Sequence, residues 1–104
     1  MDRLNYYKEN LYMMKGGAFM IIRIKAIKPL DNFVLLVTFD DGRVVEYDMK
    51  EDIKELPGYS DLETIPGLWQ QVCIDESRTC IYWNDYIDLP SDILYEYGKN
   101  KTKA

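Results

Sequence analysis

The chain contains no histidine, and that lack removes more chemistry than any other feature of its composition. Ser-His-Asp and Cys-His nucleophilic sites, His-containing metal sites and imidazole general bases all need the missing ring. Catalysis would have to come from carboxylates, Lys, Tyr or Cys, so the expectation is that the protein is not an enzyme and carries no cofactor. Cysteine is scarce too, with only Cys73 and Cys80. No apolar run approaches the roughly 20 residues that span a bilayer, and the start lacks the basic-then-apolar pattern of a signal peptide. The expected location is the cytoplasm, away from any membrane, with both thiols reduced. Positive charge is short as well: 13 Lys and Arg against 18 Asp and Glu leave a net charge of −5. Binding to a phosphate backbone is driven by clustered Lys and Arg, so no direct nucleic-acid partner is expected.

What remains is an ordinary globular chain, 47% hydrophobic and 30% charged over 104 residues, enough for one small domain and one core. Its clearest signal is the run Phe33 to Met49, FVLLVTFDDGRVVEYDM. A two-residue turn at Asp41-Gly42 would set Val37 against Glu46 and put partners on opposite faces. A three-residue loop pairs Phe39 with Arg43, Val37 with Val45, Leu35 with Tyr47 and Phe33 with Met49, giving one wholly apolar face. The spacing therefore predicts the longer loop, with Gly42 at positive φ.

Ile21 to Lys28 alternate as a strand, with Ile22, Ile24 and Ala26 facing inward. Pro29 to Asn32 make a turn. Lys50 to Leu56 form a short helix with Ile53 and Leu56 inward, ended by Pro57-Gly58. An irregular helical turn follows, bearing Leu62, Ile65, Leu68 and Trp69. Gln71–Asp75 and Thr79–Trp83 make a second hairpin with Ile74 opposite Ile81. Pro90 opens a last helix carrying Ile93, Leu94 and Tyr97, and Gly98 ends it. The fold class is α+β: an antiparallel β-β-β meander, a helix, a second β-hairpin and a C-terminal helix, with the helices packed on one sheet face.

Residues 20–98 form this domain. Residues 99–104, with Lys99, Lys101 and Lys103, read as a basic frayed tail. Residues 1–19 read as an N-terminal extension. Leu4, Tyr7, Leu11 and Met14 would make one stripe of an amphipathic helix, while Lys15-Gly16-Gly17 can be encoded by a bacterial ribosome-binding sequence at a distance that suits initiation at Met20. The second reading makes Met20 the native start.

Three constellations invite chemistry. Asp40-Asp41 could suggest a divalent metal, but two adjacent turn carboxylates rarely converge on an ion, and both residues suit the positions before a left-handed glycine. Cys73 and Cys80 are diagonal neighbours across the second hairpin, with no further ligands for a thiolate metal site. Nine tyrosines are more than the core positions use. Tyr82, Tyr86 and Tyr95 have no inward position, and Tyr is favoured in protein interfaces. Around them lie Asp48, Asp85 and Asp88, which would give an acidic pocket if they met. The structural role for these carboxylates, Asp88 before the helix and Asn84-Asp85 in the turn, is the stronger reading. No catalytic or metal residue is assigned. The candidate interaction or pocket residues are Asp48, Tyr82, Asp85, Tyr86, Asp88 and Tyr95.

The motifs together resemble the DUF2442 family of small bacterial proteins. The resemblance rests on Lys28-Pro29-Leu30, Leu35-x-Val37-x-Phe39-x-Asp41-Gly42, Tyr47-Asp48-Met49, Trp69, Val72, Thr79-x-x-x-Trp83, Asp88-Leu89-Pro90 and Leu94-Tyr95, over residues 20–97. Family members commonly have Gly where this chain has Tyr86, a departure that bears on the backbone of that turn. The resemblance implies a small α+β domain without an established activity, in some members fused to a helix-turn-helix module or encoded beside a second short protein in toxin–antitoxin-like pairs. It carries over no functional residue.

The leading expectation is a non-enzymatic protein-interaction or regulatory module, an antitoxin-like partner of a small basic protein encoded nearby. The alternative is a small-molecule or metal site built from Asp48, Asp85 and Asp88. Self-association into a homo-oligomer, through an edge strand or the 1–19 segment, is a third reading.

Overall fold

The structure, a computed structural model, describes residues 21–102. The stripe from Leu4 to Met14, the start at Met20 and Lys103 therefore lie outside the described residues. The chain is α+β, as its patterning predicts. Seven strands, β1 (Ile24–Pro29), β2 (Val34–Phe39), β3 (Val44–Asp48), β4 (Cys73–Ile74), β5 (Cys80–Tyr82), β6 (Asp88–Pro90) and β7 (Lys99–Asn100), form two antiparallel sheets, ordered β1-β2-β3-β7 and β4-β5-β6. Three short helices, α1 (Lys50–Glu55), α2 (Asp61–Thr64) and α3 (Ser91–Tyr97), fill in around them.

The β2–β3 hairpin has the register that apolar alternation demands. Leu35 pairs with Tyr47 and Val37 with Val45, and the three-residue loop closes with Phe39 N–H donating to Arg43 O at 2.9 Å. Gly42 takes φ 93°, where a side chain would be strained. Leu35, Val37, Phe39, Val45, Tyr47 and Met49 are buried on the inward face.

β1 departs from simple alternation. Ile24 pairs with Phe39, but the next partners are Ala26 with Thr38 and Ile27 with Val37, so a bulge at Lys25 inserts one extra residue. The facing reverses there: Ile24 is buried, Ala26 is exposed, and Ile27 packs against the core in the place expected for Ala26. The bulge with Lys25 and Lys28 also blunts β1 as an exposed sheet edge.

The second hairpin pairs Cys73 with Tyr82 and Ile74 with Ile81, and β6 extends it to three strands through Ile81–Leu89 and Tyr82–Asp88. Asp88 thus sits within a strand rather than capping α3, whose N-cap residue is Pro90. Residues 99–102, read as a frayed tail, are tied down: Lys99 pairs with Glu46, Asn100 with Val45, Lys101 N–H donates to Val44 O, and Thr102 Oγ1 accepts from Val44 N–H.

One core joins the two sheets. Ile24, Leu35, Val37, Phe39 and Val45 of the first meet Ile81, Trp83 and Leu89 of the second, with Ile93 and Leu94 of α3. In α1 the inward residues are Asp52 and Ile53, whereas Leu56 is only half-buried, and Ile65 is exposed. Tyr47 explains the buried carboxylate: its hydroxyl donates to Asp52 Oδ2 at 2.6 Å. An inward tyrosine needs a partner for its polar tip, and Asp52 supplies it.

Candidate functional site

The end of the small sheet is built by alternation. Ile81, Trp83, Ile87 and Leu89 point into the core, which leaves Tyr82, Asp85, Tyr86 and Asp88 exposed. Tyr82 and Asp88 lie directly across from one another on β5 and β6. The connecting loop is pinned: Trp83 N–H donates to Ile87 O at 2.9 Å, and Asn84 Oδ1 accepts from the N–H groups of Tyr86 (2.9 Å) and Ile87 (3.0 Å). Asn84 therefore makes the turn by the side-chain mimicry expected of it. Tyr86, at 86% exposure, is carried outward on this loop, and Tyr82 is 39% exposed. Tyr86 is absent from the non-glycine residues at positive φ, so a tyrosine occupies this turn without backbone strain.

Behind the hairpin, Tyr59 Oη donates to Asp88 O at 2.5 Å. Burial raises the Tyr59 phenol above its ordinary range, as do the nearby Asp88 and Asp52 charges. Cys80 is pushed up to about 11, first by burial and then by the carboxylates of Asp88 and Asp75. Its thiol is therefore protonated at neutral pH and a poor nucleophile. Cys73 is exposed, and both cysteines are free.

The other sequence candidates lie apart from this hairpin. Asp48 is at the end of β3, where Oδ1 accepts from Lys50 N–H at 2.9 Å and pairs with Lys50 Nζ at 3.1 Å. Tyr95, on α3, packs edge-on against Phe39 with centroids 5.0 Å apart, and its hydroxyl donates to Asp41 Oδ2 at 2.7 Å. The Arg43 guanidinium lies 4.7 Å from the centre of its ring. Tyr95 is thus fastened at the tip of the first hairpin. Asp48, Asp85 and Asp88 are all exposed, and among the described residues no group of three or more His, Cys, Asp or Glu is arranged to hold a metal ion.

Two features escaped the sequence reading. Arg78, at φ 61° in the β4–β5 turn, makes a bidentate pair with Asp40 through Nη1 (2.7 Å) and Nη2 (2.9 Å). That contact holds Asp40 below the usual carboxylate range. The second is a groove of about 280 Å³ between the β1–β2 turn and the segment after α2, lined in part by Phe33, Ile65, Pro66 and Trp69. Pro66-Gly67 was the signal for a chain break there, but nothing local pairs it with Phe33.

The family model of DUF2442, described as a protein of unknown function, matches residues 24–100. No curated protein and no solved structure matches the chain.

Proposed function

Because the chain belongs to the DUF2442 family, whose description assigns no function, its role is read from its surface, and we propose that it is a non-enzymatic protein-interaction module. In this reading it is a cytoplasmic, antitoxin-like or regulatory partner of a small basic protein. The observation that carries the proposal is Tyr86, 86% exposed on a loop whose backbone Asn84 holds by two hydrogen bonds. An exposed aromatic on a fixed loop loses little conformational freedom on docking, and tyrosine is a recurrent energetic anchor of interfaces. Tyr82 adds apolar area, while Asp85 and Asp88 add negative charge to a chain already at −5. Opposite charge on a partner would speed encounter and select against acidic competitors. The protonated Cys80 thiol and the lack of histidine weigh against covalent or acid–base catalysis.

Affinity capture with the tagged full chain from its own host tests the reading. Recovery of one small basic protein is expected. Tyr86→Ala should weaken its binding at least about tenfold without moving the unfolding midpoint. A captured partner indifferent to both Tyr86→Ala and Tyr82→Ala would sink the proposal.

A further inference from the structure

Strand β2 is apolar on both of its faces. Over residues 33–39, FVLLVTF, Thr38 is the one polar residue, and such a run reads as a strand covered on two sides. The described residues cover one. Leu35, Val37 and Phe39 enter the core, while Val34 and Leu36, with Val44 on β3, are partly exposed on the other face. These three neither belong to the buried cluster nor pack against it, whereas α1, α2 and α3 send Ile53, Leu62, Ile93 and Leu94 into it. Ala26 of β1, turned outward by the bulge, is exposed on the same side. An antiparallel sheet with one solvated face alternates apolar with polar along each strand, and β2 does not.

The charges on this face follow the strand register. In one row Lys28 of β1 pairs with Leu36, and Leu36 with Glu46 of β3; in the next, Ala26 pairs with Thr38 and Thr38 with Val44. Leu36 therefore has a cation one strand to one side and a carboxylate one strand to the other, each about 5 Å away in the sheet. Glu46 lies 3.8 Å from Lys101 Nζ, yet its side chain is still 37% exposed and open to a second contact. A partner surface of one charge sign meets a like charge at one edge of this face. A second copy of the chain, rotated by half a turn about an axis along β2, does not. That rotation lays β1 of each copy over β3 of the other, so Lys28 faces Glu46 twice, Ala26 faces Val44 twice, and Leu36 and Thr38 meet their own counterparts on the axis. Half a turn about an axis across the strands instead sets Lys28 over Lys28 and Glu46 over Glu46.

From this self-complementarity we infer that the outward face of the β1-β2-β3 sheet binds a second copy of the chain, in a twofold dimer with the sheets aligned face to face. The face is about 20 Å long and, at three strands, about 14 Å wide, a small footprint beside the roughly 800 Å² per partner of a standard interface. The dimer is accordingly weak and reversible. It goes beyond the reading of the β5–β6 hairpin and uses neither Tyr82 nor Tyr86.

The test is sedimentation equilibrium and NMR on the full chain up to about 1 mM. The ionic strength is near physiological, where a Debye length of about 8 Å screens the net charge of −5. The average mass should rise with concentration toward the dimer, and the amides of Lys28, Leu36, Thr38 and Val44 should shift with it. Lys28→Glu and Glu46→Lys should each weaken association at least about fivefold, because each sets like charges face to face. An equimolar mixture of the two variants should recover it, since both contacts across the mixed dimer then join opposite charges. Leu36→Lys should abolish it, while Glu46 beside that position on β3 gives the new ammonium a partner within the fold. Thermal unfolding checks that all three variants fold. Tyr86→Ala should leave association unchanged, so failure of the partner capture and failure of this dimer are separate results. A mass that stays monomeric at every concentration, shifts centred on the β5–β6 hairpin, or a mixture no tighter than either variant alone would overturn the inference. So would concentration-independent cross-peaks from residues 1–20 to the Leu36 methyls, which give the face to the chain's own start.

Discussion

At Gly98 the backbone is unremarkable in angle, φ −69° and ψ 147°, yet a Cβ placed there would lie 2.6 Å from Val45 Cγ2 and from Leu94 O. This glycine is required by the close approach of the end of α3 to β3. Gly42 presents the opposite case: a Cβ there meets nothing within 4 Å, and the constraint is its φ of 93°. Gly98→Ala is therefore expected to cost about 1–3 kcal/mol through overpacking of the core, and Gly42→Ala about 1 kcal/mol through backbone strain. Urea unfolding of the two variants checks both; a Gly98→Ala protein as stable as the parent would remove the close-packing argument. The buried Tyr47–Asp52 bond belongs to the same scale. Tyr47→Phe deletes the hydroxyl that donates to Asp52 Oδ2 at 2.6 Å, and hydrogen bonds to charged groups contribute about 1.5–3 kcal/mol. A loss of that size is expected in the same measurement, and a neutral substitution would show that the bond adds no stability. Asp52 was hidden in the sequence because it stands among charges in KEDIKEL, where a helical period built on apolar residues assigns it to solvent.

Between elements, the acidic tip of the first hairpin does more than form a turn. Asp40 reaches Arg78 in the β4–β5 turn and Asp41 reaches Tyr95 on α3, so adjacent carboxylates fasten two different elements to one loop. The hydrogen bond from Arg78 lowers Asp40, and the Tyr95 hydroxyl followed by Arg43 N–H lowers Asp41, each from an ordinary 3.8. A carboxyl lowered in the folded state contributes stability that is complete above its unfolded value and is lost as pH falls through the folded one. Tyr95 is raised from 10.0, first by its bond to Asp41, so its contribution is complete below about pH 10 and is lost as pH rises through the folded value. Asp40→Asn with Asp41→Asn should flatten the fall in stability below about pH 4, and Tyr95→Phe should flatten the fall above about pH 10. Thermal midpoints across pH read both; limbs as steep as the parent's would disprove the fastening. The hairpin's register was legible because period-two alternation and Gly42 agree on one loop length. Its clamp was not, since Arg78 and Asp40 are 38 positions apart. Nor was the β1 bulge: in IIRIKAIK, Ala26 and Ile27 are both apolar, so alternation alone could not place the reversal at Lys25.

For the whole molecule the question is whether two small sheets behave as one body. The seam between them is short but dense. Ile24 N–H donates to Arg78 O at 2.7 Å, and Ser91 Oγ donates to Ile22 O at 2.5 Å. The two tryptophans stack with centroids 5.7 Å apart and planes at 20°, and Trp83 Nε1–H donates to Trp69 O at 3.0 Å. Neither sheet has a core of its own, because one buried cluster contains residues of both. This continuity was visible in part: the inward Trp83, Ile81 and Leu94 could be read from periodicity, while β6 and β7 were too short and polar to announce themselves. Tyr82 and Tyr86 could be singled out as aromatics without an inward position, whereas the Phe33–Trp69 groove arises only when distant segments meet. A single core requires a single transition. Tryptophan fluorescence, which reports the Trp69–Trp83 contact, and far-ultraviolet circular dichroism, which reports both sheets, should therefore trace coincident unfolding curves. Trp83→Phe, which removes both the indole donor and much of the stack, should lower stability by about 1–3 kcal/mol and move the dichroism and the remaining Trp69 fluorescence together. If the variant instead lost the fluorescence transition at low urea while most of the dichroism persisted to the parent midpoint, the β4–β6 sheet would be melting alone, and the seam would join two independent units.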